Sequence, residues 1–278
     1  RFCQVTGVQT CALPIYRFQN RRKTERGFSR GFLFFRNGTE DRLNRVTLFR
    51  IVEKLYRTLS RVTVENEDLL PAEGPVLIVM NHISFWDFPA LTLQRRRDDW
   101  NVFIASSYKN HPVFSRIANS VQLVWIDRGK ADFTAIKQAY GWLQNGGAFS
   151  LSPEGTRSRS KALLRAKEGV AMIALKASVP IVPVGIVGSD RIFADLLKLR
   201  RAKVTMRFGP PESYPPIDPE RRSESLREMT DDIMCRIGAL LPDAMHGFYA
   251  GNPAIERIRA EWRGRYPGMS LPDSDGTA

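Results

Sequence analysis

The sequence predicts an α/β fold, with a central, largely parallel mixed sheet and helices on both faces. An N-terminal amphipathic helix precedes it and a helical C-terminal tail follows. Two observations carry this reading. Short β-rich runs alternate with helical patterns through the middle of the chain. Several of those runs are apolar throughout, as strands covered on both faces are, whereas a half-exposed strand alternates. At 278 residues and 43% hydrophobic composition the chain can pack a sizeable core.

In chain order, strands are expected at 62–65, 76–80, 102–105, 121–126, 148–151, 181–185 and 204–208. Helices are expected at 87–94, 112–119, 133–143, 169–177 and 191–199. Before the first strand, Leu48, Ile51, Val52, Leu55, Tyr56 and Leu59 recur at spacings of three and four, which makes 43–59 a helix with one apolar face. Arg42, Arg45, Arg50, Lys54 and Arg57 fall on the opposite face. Such a helix either packs on the core or lies among lipid headgroups, and the two are compatible. Pro210-Pro211 and Pro215-Pro216 close the α/β region. A charged helix from 220 to 241, a loop, a shorter helix near 255–262 and a frayed end follow.

The expected organisation therefore has four parts. Residues 1–15 contain Val5-Thr-Gly-Val-Gln-Thr-Cys-Ala-Leu-Pro-Ile15, which resembles the translation of a sequencing-adapter oligonucleotide and is set aside, with the true start then missing. Residues 16–42 form a basic, poorly ordered arm, 43–212 the α/β domain, and 213–278 the helical tail.

Charge separates these parts. The net charge is +13. Between Tyr16 and Arg61 stand 13 Lys/Arg against 4 Asp/Glu, whereas 28 face 25 from Val62 onward. The body is nearly neutral, and the basic arm seeks an anionic partner: lipid headgroups, nucleic acid or an acidic protein. Three cysteines give neither a disulfide pattern nor metal spacing, so a reducing compartment is the default, and Cys235 reads as a small core residue. No run approaches the ~18 apolar residues that span a bilayer, and no secretory signal is evident. The expectation is a protein that is soluble or lies on a membrane.

Polar groups at the carboxyl ends of strands are where an open α/β sheet collects ligands. After 76–80 comes Asn81-His-Ile-Ser-Phe-Trp-Asp87. An imidazole and a carboxylate five residues apart across a strand-to-helix turn can meet, and the carboxylate then fixes the ring tautomer and raises the basicity of the far nitrogen. The bland alternative makes Asp87 a helix cap and His82 a loop histidine. After 121–126 comes Asp127-Arg128, an anion clamp or a surface ion pair. After 148–151 comes Ser152-Pro-Glu-Gly-Thr-Arg-Ser-Arg159, where forked guanidinium donors suit a phosphate and Glu154 can accept from substrate hydroxyls. Val179-Pro-Ile-Val-Pro183 is an apolar strand start. His111, before Pro112, reads as structural; His246 lies in the tail; no cluster has metal spacing.

In this order and at these spacings the four blocks resemble the glycerolipid acyltransferase family, whose best-known members are 1-acylglycerol-3-phosphate O-acyltransferases. The resemblance covers roughly residues 48–211. It implies His82 and Asp87 as the catalytic His-x4-Asp pair, with His82 as a base on the acceptor hydroxyl and no enzyme nucleophile, so Ser84 has no such role. It implies Arg128, Glu154, Gly155, Thr156 and Arg157 as the acceptor-binding residues, the arginines on a phosphate and Glu154 on the glycerol. Asn81, Val179 and Pro180 would line an acyl pocket or serve structure. Ser152 departs from the family, which usually has Phe there. The implied donor is acyl-CoA or acyl carrier protein, with no bound cofactor and no metal; the implied acceptor is a lysophospholipid. The implied place is the cytoplasmic face of an anionic membrane, held peripherally. An amine lipid or glycolipid acceptor is the alternative. A nucleic-acid-binding protein would leave the four blocks unexplained.

Overall fold

The computed structural model describes residues 39–128 and 132–272; the adapter-like stretch and the expected arm at 16–38 lie outside the described residues. Helix α1 (Thr39–Leu59) leads into β1 (Ser60–Glu65), then β2 (Val76–Met80), α2 (Asp87–Ala90), β3 (Trp100–Ala105), α3 (Pro112–Ser120) and β4 (Val124–Ile126). After these come α4 (Phe133–Gln144), β5 (Ala148–Leu151), α5 (Gly169–Ala177), β6 (Ile181–Val187), α6 (Ile192–Leu196), β7 (Ala202–Phe208), α7 (Arg222–Ala239) and α8 (Pro253–Arg265). The helix begins at Thr39, so the last four residues assigned to the arm are already helical.

The seven strands form one sheet in the order β1-β7-β6-β2-β5-β3-β4. All neighbours are parallel except β6 and β7. This is the expected largely parallel, mixed sheet. β2 explains why its sequence does not alternate. Leu77 and Val79 enter the core beneath α4, α5, α7 and α8, whereas Val76, Ile78 and Met80 enter the core beneath α1 and α2. With all five side chains buried, at ~1.5–3 kcal/mol for each large aliphatic residue, β2 is anchored from both sides.

The C-terminal helices belong to this core. Leu226, Met229, Ile233 and Ile237 of α7 recur at helical spacing and pack with Trp262 of α8 against Leu77, Phe149 and Ile181. Gly185 admits the end of α7, because a Cβ there would stand 2.8 Å from the Leu240 Cβ. The segment that reads as a charged tail thus covers one face of the sheet.

Two local expectations change. The helix expected at 87–94 is one α-turn followed by a 3₁₀ turn at Leu91–Leu93, and that at 191–199 shrinks to Ile192–Leu196. Arg45, expected on the solvent face of α1, is buried. Its guanidinium donates to the carbonyls of Val121 (3.0 Å) and Trp100 (2.7 Å) and lies over the rings of Phe49 and Trp142. Burial lowers its pKa to about 10, while Asp99 and Asp98 act in the other direction.

Candidate active site

The carboxyl ends of β2, β5, β4 and β6 point the same way, and their loops meet at one edge of the sheet. The arrangement starts with Asn81, which extends the β2–β6 ladder with its side chain. Its Nδ2 donates to the Ile186 carbonyl (2.9 Å), and the Ile186 N–H donates to its Oδ1 (2.8 Å).

His82 follows, 4% exposed, and is held through both main chain and ring. Its N–H donates to Glu154 Oε1 (2.8 Å), and its carbonyl accepts from the Ser158 N–H (2.7 Å). The ring Nδ1 stands 2.8 Å from Asp87 Oδ2. The same oxygen accepts from the N–H groups of Ile83 and Ser84, each at 2.7 Å, and Oδ1 accepts from the Ser189 hydroxyl at 2.5 Å. Four donors around a fully buried carboxylate keep it an acceptor, so the proton between the pair belongs on Nδ1. The opposite ring nitrogen, Nε2, is then the basic one. The Phe88 ring packs against the imidazole with centroids 5.2 Å apart. Ser84 is engaged: its hydroxyl donates to the Ser189 carbonyl (3.1 Å) and accepts from the Trp86 N–H (3.2 Å).

The Glu154 carboxylate is buried, with Oε1 accepting from the His82 N–H and Oε2 from the Leu164 N–H (2.9 Å). It ties the 152–165 loop to the histidine. Burial pushes its pKa up to about 7; the two N–H donors pull the other way, and the nearby Asp87 adds to the rise. Gly155 makes the turn after it in the left-handed region (φ 68°). Thr156 and Arg157 are exposed at the rim.

Arg128 comes from the end of β4. Desolvation lowers its pKa, Tyr108 opposes that, and the like charge of Arg157 lowers it further, so the two arginines feel one another. Two guanidiniums held in one field favour an anion between them. Val179 and Pro180 sit elsewhere. The Pro180 carbonyl accepts from the Leu77 N–H at the start of β2, the end of the strand away from His82. Of the other histidines, His111 Nδ1 accepts from the Phe114 N–H as a cap of α3 (3.4 Å), and buried His246 Nε2 is 3.0 Å from the Gly238 carbonyl.

Sequence reasoning missed Gly188-Ser189. Ser189, fully buried, is the residue of β6's outgoing turn that reaches Asp87. It depends on Gly188, whose φ is 80° and whose added Cβ would lie 2.1 Å from the Lys203 carbonyl oxygen. Gly188→Ala should therefore destabilise the protein by about 2–4 kcal/mol, through strain and backbone displacement together. Thermal unfolding reads this directly, and wild-type melting would mean that the turn relaxes without cost.

Residues 61–187 match the family model described as Acyltransferase. The chain is 30% identical over 166 residues to a protein of Mycoplasma pneumoniae named a probable 1-acyl-sn-glycerol-3-phosphate acyltransferase, covering 55% of this chain and 62% of that one. It is 27% identical over 128 residues to a chloroplastic 1-acyl-sn-glycerol-3-phosphate acyltransferase of Brassica napus, covering 45% of this chain and 37% of that one. It thus spans less than two thirds of the length of these relatives. The crystal structure of PlsC, the 1-acyl-sn-glycerophosphate acyltransferase of Thermotoga maritima, matches with a TM-score of 0.51 and 24% identity, over 68% of this chain and 80% of that one. This likeness bears on the fold. The matched residues run from β1 to β6, so α6, β7 and the two C-terminal helices lie beyond them.

Proposed function

We propose that this chain is an O-acyltransferase that moves a fatty acyl group from acyl-CoA or acyl carrier protein to a hydroxyl of lysophosphatidate or a related lysophospholipid, in phospholipid biosynthesis. The observation that carries the reading is the His82–Asp87 contact at 2.8 Å, which leaves Nε2 as the base. His82 takes the acceptor's hydroxyl proton as its oxygen forms a bond to the thioester carbonyl carbon. The tetrahedral intermediate collapses, the C–S bond breaks, and the imidazolium returns the proton to the leaving thiolate. Asp87 stabilises the imidazolium between the two steps. No protein nucleophile takes part, in keeping with the engaged hydroxyl of Ser84. The chemistry needs no metal or organic cofactor.

Arg128 and Arg157 hold the acceptor phosphate in this scheme, with Thr156 and the Gly155 main chain beside them; the mutual influence of the two guanidiniums supports it. Arg157→Ala should raise the KM for a phosphate-bearing acceptor roughly 10–100-fold with little change in kcat, the effect of losing a charge-assisted hydrogen bond. An unchanged KM would point to an acceptor without phosphate, such as a glycolipid.

The reaction is placed peripherally on the cytoplasmic, anionic face of a membrane, because both substrates are amphiphiles and the exposed side of α1 carries Arg50 and Lys54. Among the described residues no helix is long and apolar enough to cross a membrane. Nucleic acid has no part in this reading. A transfer assay with one labelled acyl-CoA against lysophosphatidate, other lysophospholipids, glycerol 3-phosphate and a glycolipid tests the proposal. Transfer to none of them would end it.

A further inference from the structure

Exposed apolar side chains gather on the outside of the layer formed by α1 and α6. Tyr56 of α1 and Ile192 of α6 share the core beneath that layer. On its outer side Ile51 and Leu55, two of the six residues of the apolar stripe of α1, stay exposed. Helix α6 and the turn after it go further. Phe193 is 61% exposed, Leu197 87% and Leu199 96%.

Leu199 is the informative residue. The Leu199 N–H donates to the Leu196 carbonyl (2.9 Å) and the Arg200 N–H to the Asp195 carbonyl (2.8 Å), which closes the helix in a Schellman-type cap. Leu199 occupies the left-handed position of that cap (φ 55°), where glycine or asparagine is favoured. A leucine there is unfavourable to the backbone and unfavourable in water, and nothing in the described fold offsets either. The cap also holds Leu197 and Leu199 rigidly outward.

Cations bracket these leucines. Between 190 and 203 stand Arg191, Lys198, Arg200, Arg201 and Lys203 against Asp190 and Asp195. Arg191 faces Asp195 (3.8 Å) and Arg201 donates to the carbonyls of Arg57 and Ser60. Lys198, Arg200 and Lys203 have exposed side chains. A twofold contact between two copies of this turn would set these cations against each other. An anionic leaflet suits them, since leucine and phenylalanine enter the boundary of acyl chains and headgroups while long basic side chains stay among the phosphates.

We propose that α6 and the turn after it form a lipid-insertion wedge that sets Phe193, Leu197 and Leu199 into an anionic leaflet beside the mouth of the His82 site. The wedge and the site are continuous. The Phe193 ring stands 5.8 Å from that of Trp86, inside the His82–Asp87 loop, and Ser189, just before the wedge, bonds Asp87. An acceptor held in the leaflet meets His82 without crossing water. The wedge rests on the membrane-surface part of the function proposed above and not on the acyl transfer.

The test is co-sedimentation of the full chain with phosphatidylglycerol–phosphatidylcholine vesicles, alongside hydrogen exchange of residues 192–201. Leu197→Asp combined with Leu199→Asn should weaken partition roughly 100-fold. It should leave the melting temperature equal or higher, because asparagine tolerates the left-handed cap. Transfer to a short-chain, water-soluble acceptor should stay at the wild-type rate. Lys198→Glu with Arg200→Glu should weaken the preference for anionic over neutral vesicles, and an unchanged preference would put the anionic contact elsewhere. Wild-type partition by the leucine variant overturns the wedge. So does protection of 192–201 without vesicles, which would mean that another part of the chain or a second copy covers the turn. A wild-type protein that binds vesicles through this turn yet acylates nothing would uphold the wedge and end the acyltransferase reading.

Discussion

Replacing His82 with alanine should lower acyl transfer by on the order of 10²–10⁴-fold, the range that a positioned general base contributes, while the protein stays folded. Both halves follow from the same contacts. In the proposed scheme the ring takes the acceptor proton, and Nε2 is the base because Nδ1 is bonded to Asp87. Removing the ring leaves Asp87 with the N–H groups of Ile83 and Ser84 and the Ser189 hydroxyl, so the buried carboxylate keeps three of its four donors. The main-chain bonds of residue 82 to Glu154 and Ser158 involve no side-chain atom of the histidine and persist. A labelled acyl-CoA assay with a thermal melt on the same preparation separates the two effects. Wild-type turnover by a natively folded His82→Ala protein would remove His82 as the base.

The contrast between Asp87 and Ser189 explains what the sequence discloses about this site. His82 and Asp87 are five residues apart across one turn, so local geometry alone suggests their meeting. Ser189 lies 102 residues beyond Asp87, and only the register of β6 on β2 brings it there. The available signal was a glycine followed by serine at a strand end, and an expected strand ending at Gly185 hides it, because β6 runs on to Val187. The largely parallel character of the sheet is legible for a different reason. Strands such as β2 are buried on both faces and carry no polar alternation, a property written in their composition. In α1 the period identifies an apolar stripe, but the period is indifferent to what covers it. Tyr56 meets the core, whereas Ile51 and Leu55 do not. Arg45 shows the reverse case, since a guanidinium on a polar face can be buried when carbonyls and rings surround it.

Glu154→Gln should change stability in a way that depends on pH and should lower kcat without raising the acceptor KM. The carboxyl is buried between two N–H donors, and its pKa stands near 7 in place of the usual 4.5. A raised pKa means that the folded state holds the proton more tightly than the unfolded chain. The resulting stability is complete below about pH 4.5 and is lost as pH rises through 7, in all about 3 kcal/mol at ~1.4 kcal/mol per tenfold change in proton affinity. Glutamine has no such titration. Its amide nitrogen also cannot accept, so one of the two buried N–H groups loses its partner, at roughly 1–3 kcal/mol. The Glu154→Gln protein should therefore be less stable than wild type at pH 5 and close to it at pH 8. Denaturant unfolding at both values measures the difference, and a gap independent of pH would mean that Glu154 ionises normally. Transfer kinetics then decide what Glu154 does. If it holds the His82 main chain, the variant should lose kcat roughly 10-fold or more with the acceptor KM unchanged, since a small displacement of the base weakens proton transfer and leaves binding intact. A raised KM with intact kcat would instead put the carboxylate on the acceptor's hydroxyl, the role that its place in the Ser152–Arg159 loop first suggests and that its two backbone donors argue against.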